Sequence, residues 1–385
     1  MHLINKILCD GQLTAQQQQR LQDLLDSVNR EANYFLGYPC NRAFDYTPLY
    51  PFLSYPMNNV GDPFKPSRYH LSTHEFEREV IDFFADLIHA KHEEIWGYVT
   101  NGGTEGNMFG IYLAREIYPE GLVYYSEATH YSVPKILRMV HARNIMIKST
   151  TNGEIDYQDL AETVRIHRDA PVIIFANIGT TMTGAVDNLD RIKQILKDNA
   201  ITQYYIHCDA ALGGMILPFV DNPPAFDFDA GIDSMAISGH KMIGSPIPCG
   251  IALAQKTHVD RIARAVEYIS TFDTTVSGSR NAITPLFLWY AIQSKGSNGF
   301  RKMVQDCLNM ADYAISRFNA QGIPAWRNDN SITVVFPKGP EAVMSKWQIA
   351  LQGDIGHIVV MPHVTKHQID RLLADLVEMR TEVTL

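Results

Sequence analysis

The feature of this chain that most restricts its fold is a regular alternation of short apolar segments with amphipathic helical segments. Seven apolar segments are typical of buried strands: 97–100, 122–126, 143–147, 172–176, 204–208, 234–238 and 250–254. Segments with helical spacing lie between several of them: 106–117, 131–141, 157–167 and 189–199. Such an alternation indicates the α/β class, in which helices cover both faces of a mostly parallel sheet.

The N-terminal part has a different pattern. Residues 14–35 show the apolar spacing of a helix, and 75–90 predict a second, strongly amphipathic helix. Between them, residues 36–70 are rich in Pro, Tyr and Asn and predict an extended, irregular arm. The arm either wraps around a partner subunit or is a plain surface loop.

The C-terminal part predicts a smaller α+β unit. A long helical region covers 284–320, and strands at 331–336 and 357–361 alternate with helices at 342–352 and 366–380. The pattern therefore divides the chain into three parts. These are an N-terminal helix and arm (1–70), a large α/β domain (71–300) and a small C-terminal domain (301–385).

Charge and cysteine content exclude several functions. The formal net charge is −9, and the lysines and arginines are scattered, so we expect no nucleic-acid and no membrane partner. No apolar run approaches the roughly 18 residues that span a bilayer, and the N-terminal residues form no apolar signal core. The five cysteines include no C-x-x-C pair, which is typical of reduced thiols in a cytoplasmic enzyme and gives no indication of a metal site.

A lysine after the sixth apolar segment carries the strongest chemical signal. Ser238-Gly239-His240-Lys241 ends the apolar segment 234–238 and precedes a turn-rich stretch. Most lysines are solvated surface charges, but one at a buried strand end is desolvated. Desolvation lowers its pKa and favours the neutral amine that imine formation requires. Lys241 is therefore a candidate for binding a carbonyl cofactor as a Schiff base.

An aspartate ends the preceding apolar segment. Asp209 follows His207-Cys208, and Ala211 is small enough for a ring to lie close to the backbone. A carboxylate at this place could pair with a protonated pyridine nitrogen, which keeps the ring able to accept electrons. The alternative is that Asp209 only caps the next helix, although the lysine on the next strand favours the cofactor role.

A glycine-rich turn leads from the first apolar segment into a helix. Thr100-Asn101-Gly102-Gly103-Thr104 lets the backbone approach an anion at a helix N-terminus, where free N–H groups and the helix dipole favour negative charge. Such turns are common, but beside a cofactor lysine this one predicts a phosphate site. It lacks the G-x-x-x-x-G-K-[ST] motif, so a nucleoside triphosphate is not expected.

Two further strand ends carry polar residues. His130, within Thr129-His130-Tyr131, offers an aromatic ring that can stack on a pyridine face and act on protons, although a lone histidine is often structural. Thr180-Thr181 offers hydroxyls at the end of the segment 172–176. Ligands of open α/β sheets bind at these carboxyl ends, so the polar residues predict one common site.

These segments together, from about residue 37 to the C-terminus, resemble the group II pyridoxal-phosphate-dependent decarboxylases of fold type I, the aspartate aminotransferase-like fold. The resemblance is carried by the segments 97–107, 177–181, 238–250, 278–281 and 330–337. Within that group the chain is most similar to the bacterial histidine decarboxylases and next to the plant-type serine decarboxylases. The cofactor that the resemblance implies is pyridoxal 5′-phosphate.

The resemblance also implies roles for individual residues. Lys241 would bind the cofactor covalently, Asp209 would pair with the pyridine nitrogen and His130 would stack on the ring. The phosphate would be held by Gly103, Thr104, Ser238 and His240, and the ring would be lined by Thr181 and Ala211. Family members also use a loop tyrosine from the neighbouring subunit to protonate the substrate carbon. Tyr268 lies in a Thr- and Ser-rich segment that fits this role, and an ordinary loop tyrosine is the alternative.

The substrate expected from the resemblance is L-histidine, giving histamine and CO2. The segments 102–103 and 210–215 are similar to the histidine enzymes, whereas 61–64, 299–300 and 352–357 are similar to the serine enzymes. Serine, giving ethanolamine, is therefore the first alternative, and another small amino acid is the second. Both groups usually continue Gly-Ser-Arg-Asn with Gly-His, but here Asn281 is followed by Ala282-Ile283.

Other classes of protein share part of this pattern. An aminotransferase or a carbon–sulfur lyase of the same fold would also use an aspartate and a lysine, and an inactive binding scaffold would retain the fold alone. Competent residues at every expected cofactor position favour an enzyme over a scaffold. Because the resemblance places the active site at a subunit interface, we expect a homodimer at least, with a homotetramer as the alternative.

Overall fold

The N-terminal part consists of a capped helix and an irregular arm. The computed structural model of the chain describes residues 13–266 and 271–383. Helix α1 (Ala15–Glu31) begins with a capping box, because the Thr14 hydroxyl accepts from the Gln17 amide and the Gln17 side chain accepts from the Thr14 amide. The arm contains a 3₁₀ helix (Thr47–Ser54) and the short strand β1 (Asn58–Val60) before helix α2 (His74–Leu87). The two helices predicted here are therefore confirmed.

The central region follows the predicted alternation closely. Its strands are β2 (Ile95–Thr100), β3 (Leu122–Ser126), β4 (Arg143–Ile147), β5 (Val172–Asn177), β6 (Tyr204–Asp209), β7 (Ser234–Ser238) and β8 (Gly250–Gln255). Its helices are α3 (Gly103–Ile117), α4 (Ser132–Met139), α5 (Tyr157–Ile166) and α6 (Leu189–Asp198). All seven apolar segments form strands.

These seven strands form one sheet in the order β2-β8-β7-β6-β5-β3-β4. Neighbouring strands from β7 to β4 run parallel, whereas β8 is antiparallel to both β2 and β7. The prediction of a mostly parallel sheet is confirmed. Because β5, β6 and β7 point the same way, their carboxyl ends meet at one edge of the sheet.

Both faces of the sheet are buried, in the way expected of parallel strands. Along β5, Val172, Ile174 and Ala176 belong to the larger hydrophobic core, and Ile173 and Phe175 belong to a second core on the opposite face. The second core also contains side chains of α3 and α4. The sheet is therefore rigidly held, which fixes the positions of the residues that follow its strands.

The C-terminal part begins with short elements and one long helix. Helix α7 (Lys256–Ile262) is followed by β9 (Arg264–Val266), β10 (Thr271–Asp273) and β11 (Ser279–Asn281). Strand β11 pairs with β1 of the arm. Helix α8 (Ile283–Ala320) is interrupted at Gly296, where φ is +60° and the backbone is not helical. The predicted domain boundary at residue 300 thus falls within α8, just after this kink.

The last segment forms a small antiparallel sheet. Strand β12 (Thr333–Pro337) pairs with β14 (Ile355–Val359), which also pairs with β13 (Ala350–Gln352), and helices α9 (Glu341–Lys346) and α10 (Lys366–Val383) complete the unit. The prediction of a helix over 342–352 was wrong in its second half. Gln348 adopts a positive φ of 49°, which ends the helix and turns the chain into β13. Among the residues that the structure describes, no helix is long and apolar enough to cross a membrane.

Candidate active site

One cavity lies at the carboxyl ends of β5, β6 and β7, between the large sheet, the arm and the C-terminal sheet. Nine of the ten predicted site residues line it: Gly103, Thr104, His130, Thr181, Asp209, Ala211, Ser238, His240 and Lys241. It encloses about 1130 Å³, part of which is open to solvent. The tenth residue, Tyr268, lies outside the described residues. The strand ends that looked separate in the sequence thus converge on one site.

Lys241 lies in the turn that follows β7. Burial lowers the pKa of its amine, and the nearby Asp209 and Cys40 oppose this shift. The turn is held from outside by the arm: the Lys241 carbonyl accepts from the Asn41 amide at 3.2 Å, and the Asn41 side chain donates to the Met242 carbonyl at 2.9 Å. The backbone that carries the amine is therefore held in place, and the amine is more easily deprotonated than that of a surface lysine, as Schiff-base chemistry requires.

Asp209 is the last residue of β6, and its carboxylate is bound on two sides. Oδ2 accepts from Asn107 Nδ2 at 2.8 Å, and Oδ1 accepts from the Ala211 backbone N–H at 3.1 Å. Both contacts need an acceptor oxygen, which an ionised carboxylate supplies at both positions. The side chain is thus suited to accept a hydrogen bond from a cationic ring nitrogen.

His130 lies in the loop between β3 and α4. Its Nδ1 accepts from the Ser132 amide at 3.3 Å and lies 2.8 Å from the Ser132 hydroxyl. Burial lowers the pKa of the imidazole, nearby Asp209 raises it, and Lys241 lowers it further. A neutral ring with its proton on Nε2 satisfies these contacts, which leaves Nε2–H free for the cavity.

The predicted phosphate site lies at the start of α3. The first N–H groups of a helix, here those of Gly103 and Thr104, have no partner within the helix. Gly102 adopts φ of +152°, and a Cβ at Gly103 would lie 2.6 Å from Ser238 Oγ, so glycine lets these elements meet. His240 Nδ1 lies 2.8 Å from the Cys249 carbonyl, to which it donates, so its Nε2 donates to an anion only when the imidazole is protonated. The cluster offers several donors to an anion.

The side chains opposite these strand ends come from distant segments that the sequence analysis did not assign to the site. We call the strand-end residues Gly103, Thr104, Asp209, Ser238 and Lys241 the sheet wall. We call the opposite residues Gly37, Tyr38, Asn330, Ser331 and His357 the outer wall; all ten line the cavity. The segments around 330 and 357 were predicted as strands and noted for their family resemblance, but nothing in their pattern indicated that they approach the sheet wall.

His357 connects the parts of the outer wall. It is almost fully buried, and its Nδ1 lies 3.0 Å from the Met182 carbonyl while its Nε2 lies 3.1 Å from the Gly37 carbonyl. Burial lowers the pKa of the imidazole, and the two carbonyl contacts oppose this shift. One side chain therefore joins the C-terminal sheet, the arm and the loop after β5.

The unusual Ala282-Ile283 pair is not part of the cavity lining in the described residues. Ala282 is fully buried, and its carbonyl accepts from the Thr73 hydroxyl at 2.7 Å. Neighbouring Arg280 forms a buried ion pair with Glu77 of α2. The departure from the family pattern at 282–283 thus lies at a packed junction between α8, α2 and the arm.

The family of the chain follows from comparison with known proteins. The model of the pyridoxal-dependent decarboxylase conserved domain matches residues 72–336, which contain every residue of the sheet wall. The chain belongs to this family of pyridoxal-phosphate-dependent amino acid decarboxylases, and its cofactor is pyridoxal phosphate. The fold type I architecture expected from the resemblance is confirmed.

Within the family, the chain is similar to bacterial histidine decarboxylases. It is 48% identical over 361 residues to that of Mesorhizobium japonicum, covering 94% of this chain and 98% of the relative. It is 49% identical over 368 residues to that of Acinetobacter baumannii strain ACICU, covering 95% and 96%. Among solved structures, L-methionine decarboxylase from Streptomyces sp. 590 superposes with a TM-score of 0.86 at 26% identity, covering 96% of this chain and 97% of that one.

The residues of the cavity fit pyridoxal phosphate. The donor cluster at the start of α3 matches a phosphate, and Asp209 presents acceptor oxygens where a protonated pyridine nitrogen requires them. The buried amine of Lys241 lies on the same cavity. Three chemically different groups of the cofactor thus have a complementary partner on the sheet wall.

Proposed function

We propose that this chain decarboxylates L-histidine, releasing CO2 and histamine. The observation that carries the proposal is an identity of 47% to 50% with several histidine decarboxylases, from Pseudomonas entomophila to Morganella morganii, over most of the chain. The identities to the histidine decarboxylases of A. baumannii and M. japonicum fall in the same range. The solved methionine enzyme is much less similar, at 26% identity, which favours histidine over methionine.

In this proposal the sheet wall binds the cofactor. Lys241 attaches it covalently, Asp209 accepts from the pyridine N–H and His130 stacks on the ring. Gly103, Thr104 and Ser238 donate to the phosphate, as His240 does when the phosphate charge keeps its imidazole protonated, while Thr181 and Ala211 line the ring. The lowered pKa of Lys241 and the free helix N–H groups of α3 support these roles.

When bound, pyridoxal phosphate supplies a cationic ring that accepts the electron pair released when the bond between Cα and the carboxylate breaks. Asp209 keeps the ring nitrogen protonated. The cavity also has apolar lining residues, Leu212, Ile216 and Leu217, which exclude water and so favour loss of the charged carboxylate. Cα then receives a proton from Tyr268 of a neighbouring subunit or from His130.

The proposed substrate is tested by offering the twenty amino acids separately to the protein loaded with pyridoxal phosphate and measuring CO2 and amine. Histamine from L-histidine as the dominant product is expected. Ethanolamine from serine, or another amine as the main product, would refute the substrate. A transamination product or no CO2 from any of them would refute decarboxylation itself. Lys241→Ala serves as the inactive control.

We also propose that the chain is a homodimer that can pair into a homotetramer. The apolar residues of α1 support this, because Leu21, Leu24, Leu25 and Val28 are each more than half exposed and α1 buries no residue within the chain. Leu21→Asp with Leu24→Asp is expected to weaken association in sedimentation, and Asp23→Lys on the opposite face of α1 is not. A fully active wild-type monomer would contradict the proposal.

Two further expectations concern the cellular location and the domains. A cytoplasmic location is supported by the cysteines, since Cys40, Cys208, Cys249 and Cys307 are all free thiols. Fractionation of the producing cells tests it.

For the domains, we propose that the large and small units divide at the kink of Gly296 in α8, with the arm as a separate N-terminal part. Limited proteolysis near this kink, rather than within the sheet, is the expected result.

A further inference from the structure

A buried row of three polar side chains leads away from Asp209, and its first member, Asn107, also lines the cavity. Asn107 of α3 donates to Asp209, and its Oδ1 lies 3.0 Å from Nε2 of His207 in β6. The other ring nitrogen of His207 lies 2.8 Å from the hydroxyl of Ser234 in β7. All three side chains are almost fully buried, so the row joins one helix to two strands beneath the cavity floor.

The direction of every hydrogen bond in this row follows from its first member. An ionised Asp209 can only accept, so the atom of Asn107 that faces it must be the amide NH2. The Asn107 oxygen then faces His207, whose Nε2 must carry the proton. Nδ1 of His207 is therefore the acceptor, and the Ser234 hydroxyl donates to it. Each side chain of the row thus has a single protonation state and a single orientation.

The surrounding residues are built to hold His207 in this position. A Cβ at Gly110 of α3 would overlap the imidazole, so the ring occupies space that only a glycine leaves open. On the other side the ring packs on Phe175, with centroids 5.1 Å apart. Burial lowers the pKa of His207 to about 4, although Asp209 opposes this shift, so the imidazole is neutral at neutral pH.

We propose that Asn107, His207 and Ser234 are positioning residues that hold Asp209 as a hydrogen-bond acceptor for the cofactor's ring nitrogen. The inference rests on the proposed role of Asp209. Without the His207 donor, the Asn107 oxygen is left buried without a partner, so the amide is held less firmly and its hydrogen bond to Asp209 weakens. A less firmly held carboxylate is a poorer acceptor for the ring N–H, which lets the ring nitrogen lose its proton more easily.

The test is the state of the ring nitrogen itself, read by NMR of the holoenzyme loaded with ¹⁵N-labelled pyridoxal phosphate. His207→Phe keeps a ring of similar shape beside Gly110 but removes the donor. We expect its ¹⁵N resonance to move toward that of an unprotonated pyridine and its cofactor affinity to fall about tenfold. A folded His207→Phe protein with the wild-type resonance and affinity would overturn the proposal.

Two control variants separate positioning from stability. Phe175→Leu disturbs packing against the same imidazole without removing a hydrogen bond, so it should lower the melting temperature and leave the ¹⁵N resonance unchanged. His207→Gln retains an amide N–H toward Asn107 and is expected to restore the wild-type resonance. A glutamine variant as impaired as the phenylalanine variant would assign the effect to ring packing and contradict the proposal.

If His207→Phe does not fold, Asn107→Leu gives the same test, because it removes the donor to Asp209 directly with a side chain of similar size. An unchanged resonance in Asn107→Leu overturns the proposal as well. The wild-type holoenzyme distinguishes this failure from a failure of the proposed function. If wild-type protein has a protonated ring nitrogen and releases CO2 but the variants show no change, only the positioning role is refuted.

Discussion

The two walls of the cavity differ in how the chain builds them. The sheet wall consists of residues that follow or end strands of one rigid sheet, and each has a proposed role toward a cofactor of fixed structure. The outer wall is assembled from the arm and the C-terminal part, segments almost 300 residues apart, and His357 joins both to the loop after β5. We expect the sheet wall to determine the reaction and the outer wall to determine which amino acid fits.

Lys241→Ala should have the largest effect, because it removes the amine that attaches the cofactor. We expect activity to fall by about a thousandfold or more. The melting temperature of the apoprotein should change little, since the side chain lines a cavity. The measurement is kcat together with the cofactor retained after gel filtration. A Lys241→Ala protein that keeps both its kcat and its cofactor would show that Lys241 does not attach the cofactor.

Asp209→Asn should have the next largest effect. It keeps the shape of the side chain but replaces an acceptor oxygen with an NH2 group, so a charge-assisted hydrogen bond to the ring nitrogen is lost. We expect kcat to fall about a hundredfold. The exposed Asp190 provides the control, because Asp190→Asn should leave kcat unchanged. Equal kcat for Asp209→Asn and wild type would contradict the role of the carboxylate.

His357→Phe tests the outer wall. It removes the imidazole contacts with two backbone carbonyls, to one of which a neutral ring donates. These contacts join three segments around the cavity, so we expect KM for the amino acid to rise about tenfold. The cofactor affinity should stay unchanged, unlike in the sheet-wall variants. His367→Phe on the exposed face of α10 is the control. A His357→Phe protein with a lower cofactor affinity and an unchanged KM would contradict the expectation that the outer wall binds the amino acid and the sheet wall the cofactor.

The smallest expected effect is on the stability of the protein and comes from Asp187, which holds the loop after β5. Its buried carboxylate accepts from the backbone amides of Ile155 and Asn177, both at 2.7 Å. Burial outweighs these bonds and raises the pKa of Asp187 from 3.8 to about 6. Because the folded state then holds the proton more tightly, the stability contributed by this group is full below about pH 4 and is lost as pH rises to about 6.

Asp187→Asn cannot titrate, so the stability difference between wild type and this variant should shrink from pH 4 to pH 6 and stay constant above. Chemical unfolding at several pH values measures this difference. An exposed carboxylate, such as that of Asp190, is the control position. A difference that does not depend on pH would show that folding leaves the pKa of Asp187 unshifted, which would contradict the raised value.

The sequence analysis succeeded where local pattern and chemistry coincide. Apolar strands bounded by polar residues located Asp209, Ser238 and Lys241, because the carboxyl ends of parallel strands meet at one edge. It did not find Asn330 or His357 as cavity residues, since their approach depends on tertiary packing between distant segments. It also missed the role of Asn107, whose partner His207 lies 100 residues away. The short apolar run at 349–351 was assigned to a helix because three residues are too few to distinguish the apolar period of a helix from that of a strand.

The central claim, that the sheet wall binds pyridoxal phosphate through Lys241, has a direct test. The holoenzyme is treated with borohydride, which makes the bond between cofactor and lysine permanent, and its peptides are mapped by mass spectrometry. The account predicts that the pyridoxyl group is found on the peptide containing Lys241 and is absent from the Lys241→Ala protein. A pyridoxyl group on another lysine, or on none, would contradict it.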